Sequence, residues 1–423
     1  MRFNYSKIFL LGFGFFGISI IWGVYNAFVP VFLAEKFNLD VRWIGFFMTL
    51  DNIAALLIQP PVGAWSDRLR TPLWRRMPFI LIGAPIGAVA FGFIPIAAIL
   101  PLFVVCTSTL LLSMAFWRTP VIALMPDITP SKYRSQANGI INLMGGVGAI
   151  LSFLVGARLY ELNPAYPFWM GSVLVILAAV LVFAFIREPK EISPSAQQPS
   201  MWRSLSEVLR DQDKSALRIL LAIFFWFLGY TAIEAFFNLY AINRLGISAA
   251  NGTRLLGELS FIFVLFAIPA GYIGSRFGRR RTIITGILVM SVVLLFIFFL
   301  SPATLLKPLT NLPLLGIVPN PGAKAVLPML GLLMMVAGAG WSLININSLP
   351  MVVDMTEAAR LGTFTGLYYL FSTLSAIIGP NSNGWIISLT GNNYNSIMIV
   401  APVFMVVAML LMWGVKRGEA LQV

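Results

Sequence analysis

The feature that most constrains this chain is a series of long apolar runs, each able to cross a lipid bilayer. A helix needs about 20 apolar residues to span about 30 Å of hydrocarbon, where its backbone must satisfy its own hydrogen bonds. The runs therefore predict an all-α integral membrane protein with twelve transmembrane helices, and they lack the alternating pattern of a membrane β-barrel. The twelve runs are residues 8–33, 43–66, 78–98, 101–125, 137–160, 167–186, 216–241, 255–275, 282–301, 325–352, 362–390 and 396–414.

Composition excludes the other broad classes of protein. The chain is 59% hydrophobic and 11% charged, with a mean hydropathy of +0.87, which is far from the values of a soluble domain. The first run is too long for the core of a signal peptide and no small-residue cleavage site follows it, so we expect a retained first helix. The single Cys106 lies in an apolar run and there is no His. Carboxylates must therefore carry any coupling proton, and we expect no cofactor, disulfide or Cys metal site.

The basic residues predict the orientation in the membrane. Most of the 29 Lys and Arg residues fall in inner loops if the N-terminus is cytoplasmic, as the positive-inside rule requires. The chain is thus expected to be a multi-pass protein of the cell membrane with both termini in the cytoplasm. Because basic inner loops face anionic lipid headgroups, the net charge of +13 needs no nucleic-acid partner.

A basic loop that occurs twice divides the chain into two similar halves. Pro61–Arg68 precedes Arg75 and Arg76, and Pro269–Arg276 precedes Arg279–Arg281. The two copies begin about half the chain length apart, and each lies between two apolar runs. Such spacing is typical of transporters that are built from internal repeats.

A second repeat supports this division. Asp127–Gly139 contains Arg134, and Asp354–Gly366 contains Arg360. Both segments follow the fourth span of their half, and the Asp-to-Gly distance along the chain is the same in both. The chain is therefore predicted to consist of an N-terminal six-helix half (1–186), a cytoplasmic linker (187–215) and a C-terminal six-helix half (216–423).

Twelve helices in two halves, with a Gly-x-x-x-Asp/Ser-Arg loop after the second helix of each half, resemble the major facilitator superfamily. In such a loop glycine lets helices approach closely, and the charged residues can pair or cap helix ends in one conformation. The first copy has Gly63 and Asp67, whereas the second has Gly271 but Ser275. We therefore expect the gating latch mainly in the N-terminal half. The gating candidates are Gly63, Asp67, Arg68, Arg75, Arg76, Asp127, Arg134, Gly271, Arg276, Arg280, Asp354 and Arg360.

A narrower resemblance concerns the substrate. Gln59–Arg68, followed by Arg75–Ile80, is similar to a segment of sucrose/proton symporters and their bacterial relatives, near the glycoside–pentoside–hexuronide:cation symporters. Thr119–Asp127 resembles the end of the fourth helix in that group. The fourth-helix Arg of the plant pattern would fall at Ile122, whereas this chain has Arg118, one helical turn earlier on the same face. The resemblance implies proton-coupled symport of a disaccharide or other glycoside.

Three charged residues lie deep in the predicted spans, where a charge is costly and needs a reason. They are Asp51, Arg118 and Glu234. Either carboxylate could bind the coupling proton, with Arg118 as its countercharge or as a hydrogen-bond donor to the sugar. The alternatives are a fixed pair between Asp51 and Arg118, interhelical hydrogen bonding by Glu234, and extension of Arg118 to the inner membrane surface.

Aromatic and amide side chains at helical spacing mark the first, seventh and tenth spans, which the resemblance places around a central cavity. Aromatic rings stack on the C–H faces of a sugar, and amides bond its hydroxyl groups. Any single Trp is more often a packing or membrane-interface residue. The binding candidates are Trp22, Tyr25, Asn26, Gln59, Arg118, Trp226, Tyr230, Asn238, Trp341, Asn345 and Asn347.

Three other functions were considered. A proton-coupled exporter of drugs or metabolites with the same fold would have a more apolar cavity with fewer amides. A membrane sensor or scaffold that transports nothing would need no buried charges. An enzyme is not expected, because neither a metal cluster nor a nucleophile–base pair is visible and no phosphate-binding loop is present. The fold implies a monomer.

Two connecting segments complete the prediction. In the linker, Ser204 and Glu207 have capping-box spacing, which indicates either a short helix on the inner membrane surface or a simple tether. The outer loop at 302–321 is rich in Pro and Asn, and we predict no chemistry in it.

Overall fold

A computed structural model describes residues 5–129, 134–188, 201–311, 315–319, 323–356 and 361–419. Ten helices in this part of the chain are long and apolar enough to cross a membrane. Met77–Phe93 is a shorter apolar helix, and Leu361–Leu389 is long but rich in Ser, Thr and Asn. These helices correspond to the twelve predicted runs, so the all-α membrane architecture is confirmed.

The chain forms two compact units. Unit 1 comprises Met1–Leu39 and Leu50–Ser193, and unit 2 comprises Asp40–Thr49 and Pro194–Val423. Residues 40–49 therefore pack within unit 2, although the sequence places them in the N-terminal half.

Unit 1 contains six long helices around an aromatic core. Helix α1 packs against α6 and α7, α4 packs against α5 and α7, and α3 packs against α5. Trp117, Phe91, Phe103 and Phe168 are completely buried among them. Its helices are α1 (Tyr5–Val31), α3 (Leu50–Arg68), α4 (Met77–Phe93), α5 (Leu100–Ile128), α6 (Arg134–Leu162) and α7 (Tyr166–Phe185).

Unit 2 holds the remaining elements. Helix α10 packs against α13, α11 packs against α13 and α15, and α9 packs against α14 and α15. Its elements are α2 (Val41–Phe47), α8 (Met201–Arg210), α9 (Ser215–Asn243), α10 (Ala249–Phe277), α11 (Arg279–Phe299), α12 (Pro302–Leu305), β1 (Pro308–Asn311), β2 (Val326–Pro328), α13 (Met329–Val353), α14 (Leu361–Leu389) and α15 (Ile397–Trp413).

The second predicted span is interrupted. The run 43–66 forms α2 and α3, which are separated at Met48 and Thr49. Helix α2 packs on α14, where a Cβ on Gly45 would lie 2.5 Å from the carbonyl oxygen of Pro380. Asp51 therefore lies in the first turn of α3 and not midway along a helix.

In the linker a short helix forms, which is one of the two predicted alternatives, but without the predicted cap; the outer loop, for which no fold was predicted, is also structured. Helix α8 begins at Met201, three residues before Ser204, so Ser204 is not its N-cap; the helix packs on α9 and α14. The outer loop contains α12 and an antiparallel hairpin in which β1 pairs with β2. Ile317 forms a further β-bridge with Val326. The described part of this loop therefore has regular structure within unit 2.

Candidate substrate, coupling and gating sites

In unit 1 an aromatic pair on α1 lies beside the carboxylate of α3. The rings of Trp22 and Tyr25 meet edge to face, with centroids 5.8 Å apart. The Asp51 carboxylate is within electrostatic reach of the Tyr25 hydroxyl and accepts a 2.8 Å hydrogen bond from Asn52 Nδ2. Within the described residues, Trp22 Nε1 and Tyr25 Oη have no hydrogen-bond partner. Both donors are buried, and their role in substrate binding stays a prediction.

The other unit 1 candidates are partly accessible. Asn26 on α1, Gln59 on α3 and Arg118 on α5 are all half-buried. Asn26, Arg118 and Asp51 each make further interactions within the protein. Their roles in binding and coupling remain predictions.

In unit 2 four aromatic residues form one cluster. The rings of Tyr230 and Trp341 stack face to face, with centroids 3.9 Å apart and planes 2° from parallel. Phe227 meets the Trp341 ring edge-on at 5.3 Å and the Tyr368 ring at 6.4 Å. Helices α9, α13 and α14 thus each contribute to a single aromatic cluster, in which Trp341 and Tyr368 are buried and Phe227 and Tyr230 are half-buried.

A carboxylate lies next to this cluster. Glu234 is half-buried on α9, one turn after Tyr230, and lies within electrostatic reach of the Tyr230 hydroxyl. Across the cluster, Ser348 and Tyr368 share a 3.1 Å hydrogen bond, and Asn345 is half-buried. A tyrosine beside a carboxylate is therefore present in both units.

Three predicted binding residues are used inside unit 2. Asn238 Nδ2 donates to Thr253 Oγ1 at 2.9 Å, which links α9 to α10. Asn347 Nδ2 donates to the carbonyl oxygens of Ala270 at 3.0 Å and Leu343 at 2.9 Å. Trp226 is completely buried. This geometry favours helix packing over ligand contact for all three.

Four of the predicted gating residues of unit 1, Asp67, Arg75, Arg76 and Asp127, form one ion-pair cluster, which we call the inner cluster of unit 1. Arg76 binds Asp127 (Nε to Oδ2, 2.5 Å) and Asp67 (Nη2 to Oδ1, 2.8 Å). Arg75 binds the same Asp127 oxygen at 2.7 Å. The Arg75, Arg76 and Asp127 side chains are almost fully shielded, whereas that of Asp67 is 55% exposed.

Glu188 completes this cluster from the end of the sixth span, and the sequence reasoning missed it. Its carboxylate accepts the amide N–H groups of Arg76 at 2.8 Å and Met77 at 3.1 Å, and of Arg75 at 3.3 Å. Glu188 thus caps the N-terminus of α4, where a negative charge is favourable.

Unit 2 carries a matching arrangement, the inner cluster of unit 2. Arg279 pairs with Asp354, and its amide N–H donates to Glu419 Oε2 at 2.6 Å. The amide of Arg280 donates to the same carboxylate at 3.2 Å. The ion pairs of unit 1 are more numerous and more shielded than the Arg279–Asp354 pair of unit 2, and a latch mainly in the N-terminal half stays a prediction. Ser275 removes one acidic partner, but Asp354 and Glu419 supply two others.

The remaining gating candidates differ in what they contact. The Arg280 guanidinium bonds the carbonyl oxygens of Met412 and Trp413 at the end of α15, as basic residues commonly do at helix C-termini. Arg68 is exposed, and Arg276 is exposed and bonds Tyr272 at 3.2 Å. The side chain of Arg134 and the whole of Arg360 lie outside the described residues.

The two motif glycines are not equivalent. A Cβ on Gly63 would lie 3.3 Å from Thr119 Cγ2 on α5, a tight contact, whereas one on Gly271 would meet only Ile346 at 3.6 Å. The close approach in unit 2 is at Gly274, where a Cβ would lie 1.7 Å from Asn347 Oδ1.

Sequence reasoning also missed Glu258, a completely buried carboxyl group of α10. The predicted span began at 255, which put Glu258 near the membrane edge, but α10 begins at Ala249. The sequence feature that could have revealed this earlier start is Ser248, the N-cap of α10, whose side chain accepts a hydrogen bond from the amide N–H of Asn251. Within the described part of the chain, no group of three Cys, Asp or Glu residues could hold a metal ion.

Comparisons with known proteins agree with this architecture. A family model of the Major Facilitator Superfamily matches residues 11–306 and 255–421. Multidrug resistance protein 2 of Bacillus subtilis is 23% identical over 283 residues, which are 66% of this chain and 67% of that protein. Tetracycline resistance protein, class B, of Escherichia coli is 23% identical over 376 residues, 86% of this chain and 83% of that protein. The cis,cis-muconate transport protein of Acinetobacter baylyi is 24% identical over 274 residues, 63% of this chain and 60% of that protein.

Solved structures show the same fold. A bacterial homologue of the human lysosomal transporter Spinster, in an inward-facing and occupied conformation, superposes with a TM-score of 0.73 at 14% identity, covering 98% of this chain and 97% of that one. The nucleoside transporter NupG gives a TM-score of 0.73 at 16% identity, covering 97% and 99%.

Proposed function

The chain belongs to the Major Facilitator Superfamily and is a multi-pass membrane transporter rather than an enzyme, and we propose that it exports an aromatic, amphipathic molecule in exchange for protons. The observation that carries the proposal is the Tyr230–Trp341 stack with Glu234 one turn away. Flat aromatic surfaces bind planar apolar molecules and cations. A carboxylate at their edge suits a positively charged substrate.

The amides of unit 2 support an exporter over a sugar carrier. A sugar needs many hydrogen-bonding groups, because each hydroxyl removed from water must find a partner. Asn238 and Asn347 already bond neighbouring helices, so fewer amides are available than the sequence suggested. The names of two relatives, which are multidrug and tetracycline resistance proteins, point in the same direction.

The proposed coupling uses competition for a carboxylate. Glu234, with Asp51 as the corresponding group of unit 1, binds either a proton or the charged substrate. A ligand moves a two-state equilibrium only by its different affinity for the two states. Exchange results when each of the two ligands is released on the opposite side of the membrane. We place the protein in the cell membrane as a monomer with both termini in the cytoplasm.

A second function, proton-coupled sugar symport, is favoured by one observation. The segment Gln59–Arg68 with Arg75–Ile80 resembles sucrose/proton symporters. Part of that segment, however, lies in the inner cluster of unit 1, where Asp67, Arg75 and Arg76 form ion pairs within the protein. We therefore rank this function second.

One reconstitution experiment separates the two functions. In proteoliposomes with an acidic lumen, we expect ethidium, a planar aromatic cation, to accumulate while lumenal protons leave, and we expect Glu234→Gln to abolish accumulation. Sucrose, maltose, trehalose and melibiose are tested in parallel for proton entry into the lumen. Proton entry with a sugar and no ethidium movement would establish symport. If neither ethidium nor any sugar causes proton movement, in protein that melts cooperatively and is therefore folded, the exporter function is rejected.

A further inference from the structure

Glu258 is a buried carboxyl group that has no part in the coupling scheme above. It lies in the third turn of α10, roughly 14 Å from the start of the helix at 1.5 Å per residue. The amide N–H of Gly316, in the outer loop, donates to Oε1 at 2.5 Å. Oε2 has no hydrogen-bond partner among the described residues. One oxygen is therefore bonded to the loop, and the other is buried without a hydrogen-bond partner among the described residues.

Two glycines make room for this carboxyl group. A Cβ on Gly331 of α13 would lie 2.4 Å from Glu258 Oε2, and it would also crowd Leu327 at 2.7 Å and Pro328 at 3.1 Å. Gly316 has a φ of +99°, which is strained for any other residue. The surroundings of Oε2 are thus the backbone of Gly331 and apolar side chains.

Charged groups on the neighbouring elements do not neutralise Glu258. Helix α13 carries none along its length, Lys307 and Lys324 of the outer loop are exposed, and Arg244 at the end of α9 is exposed. Arg254, one turn earlier on α10, is buried and makes other interactions. Glu234 belongs to the aromatic cluster of α9, and the basic residues of α11 lie at its inner end. Among the described residues, the hydrogen bond given to the Glu258 carboxyl group is that from the Gly316 amide.

An ionised carboxylate that is buried without a cation costs several kcal/mol in free energy, whereas the neutral acid costs far less. We propose that Glu258 is a proton-binding site, and that its proton holds segment 315–319 of the outer loop against α10. Oε1 of the neutral acid still accepts the Gly316 hydrogen bond. Opening of the segment admits water, so the carboxyl group ionises and releases one proton. This inference holds whichever substrate the protein transports.

A second contact provides an internal control. Asn251 lies seven residues before Glu258, on the same face of α10, and binds both backbone polar groups of Val318. Its Nδ2 donates to the carbonyl oxygen at 3.0 Å, and its Oδ1 accepts the amide N–H at 2.8 Å. An amide does not titrate, so this contact holds segment 315–319 equally at every pH.

Hydrogen–deuterium exchange of the full-length protein in nanodiscs tests the proposal without any transport. The peptide that contains segment 315–319 is followed from pH 5.5 to 8.5 and corrected for intrinsic exchange. Because opening releases a proton, its equilibrium constant should rise with pH by up to about tenfold per unit. We expect Glu258→Gln, which is neutral at every pH, to keep the segment protected throughout. Asn251→Ala should lower protection at all pH values and leave the pH dependence in place.

Two results would overturn the proposal. Protection of segment 315–319 in the unmodified protein that does not vary with pH would exclude a titrating contact, whatever the variants do. Loss of protection in a folded Glu258→Gln variant at pH 5.5 would mean that the carboxylate acts as a charged group. Peptides from α11 serve as the reference for global stability.

Discussion

The Nε atom of Arg76 lies 2.5 Å from Oδ2 of Asp127, and both side chains are almost completely shielded from solvent. Asp127 is at the inner end of the fourth span, and Arg76 immediately precedes the third. In unit 2, Arg279 and Asp354 hold the corresponding positions and also form an ion pair. Each unit thus joins the same two helix ends by Arg–Asp contacts, from Arg75 and Arg76 in unit 1 and from Arg279 in unit 2.

The first prediction concerns the inner cluster of unit 1. We expect Asp127→Asn to lower the stability of unit 1 by about 3–5 kcal/mol, because Arg75 and Arg76 lose a buried carboxylate that they share. The melting temperature of the purified protein measures this effect. Asp67→Asn is the matched control, since Asp67 binds the same Arg76 but is 55% exposed, and it should cost only about 0–1 kcal/mol. Equal losses in the two variants would contradict the assignment of Asp127 as the central acid.

The second prediction compares the two helix caps. Glu188 is buried and accepts three amide N–H groups at the start of α4, whereas Glu419 is exposed and accepts two. We expect Glu188→Ala to cost about 1–3 kcal/mol, because buried donors lose their partner. Glu419→Ala should cost about 0.5–1 kcal/mol, since water can replace the cap. Thermal unfolding of both variants decides this, and a larger loss for Glu419→Ala would be contrary to the geometry.

Much of the fold follows directly from the apolar runs, because a helix in hydrocarbon is imposed by hydrogen bonding and length. The sequence did not indicate the interruption at Met48 and Thr49, since residues 43–50 are apolar except for Thr49 and contain no Pro. That break arises from tertiary packing: α2 lies on α14, close to the backbone at Pro380. The helix propensities of the residues near Met48 do not reveal such a contact between distant segments.

The sequence identified several residues of the candidate site, but it did not show which side chains would contact one another. The spacing identified Tyr230 and Glu234 on one face of α9, and the aromatic residue Trp341 on α13. It could not show that Asn347 would bond α10, because that bond depends on the close approach at Gly274. The caps at Glu188 and Glu419 were equally invisible, since each lies far along the chain from the helix that it caps.

The third prediction tests the aromatic cluster. Trp341→Ala should weaken ethidium binding about tenfold, since the loss of a ring contact worth about 1.4 kcal/mol has that effect. Trp341→Phe should recover part of the affinity, because a ring still faces Tyr230. Fluorescence titration of the purified protein gives the dissociation constants. Trp226→Phe is the control and should bind normally, since Trp226 is buried in helix packing; a larger loss there would relocate the site.

The fourth prediction assigns the coupling carboxylates. One proton exchanged per monovalent cation at a pH difference of one unit supports a gradient of about tenfold, which corresponds to 1.4 kcal/mol. We expect this gradient to fall to about one in Glu234→Gln and in Asp51→Asn, while exchange of labelled for unlabelled ethidium continues at higher ethidium concentrations, because the aromatic contacts with the substrate remain. Full accumulation in either variant would remove that residue from the coupling mechanism. Loss of exchange as well would indicate a defect in binding.

The fifth prediction separates the motif glycine of unit 2 from the glycine that the packing requires. A methyl group on Gly274 would overlap the Asn347 side chain, whereas one on Gly271 would make only an ordinary contact with Ile346. We therefore expect Gly274→Ala to cost about 1–3 kcal/mol, because α10 and α13 must separate or Asn347 must abandon its bond to Ala270. Gly271→Ala should be nearly neutral. Thermal unfolding compares the two, and the double variant Gly274→Ala with Asn347→Ala should recover part of the loss by relieving the overlap. A greater sensitivity at Gly271 would place the tight contact of unit 2 at the motif position itself.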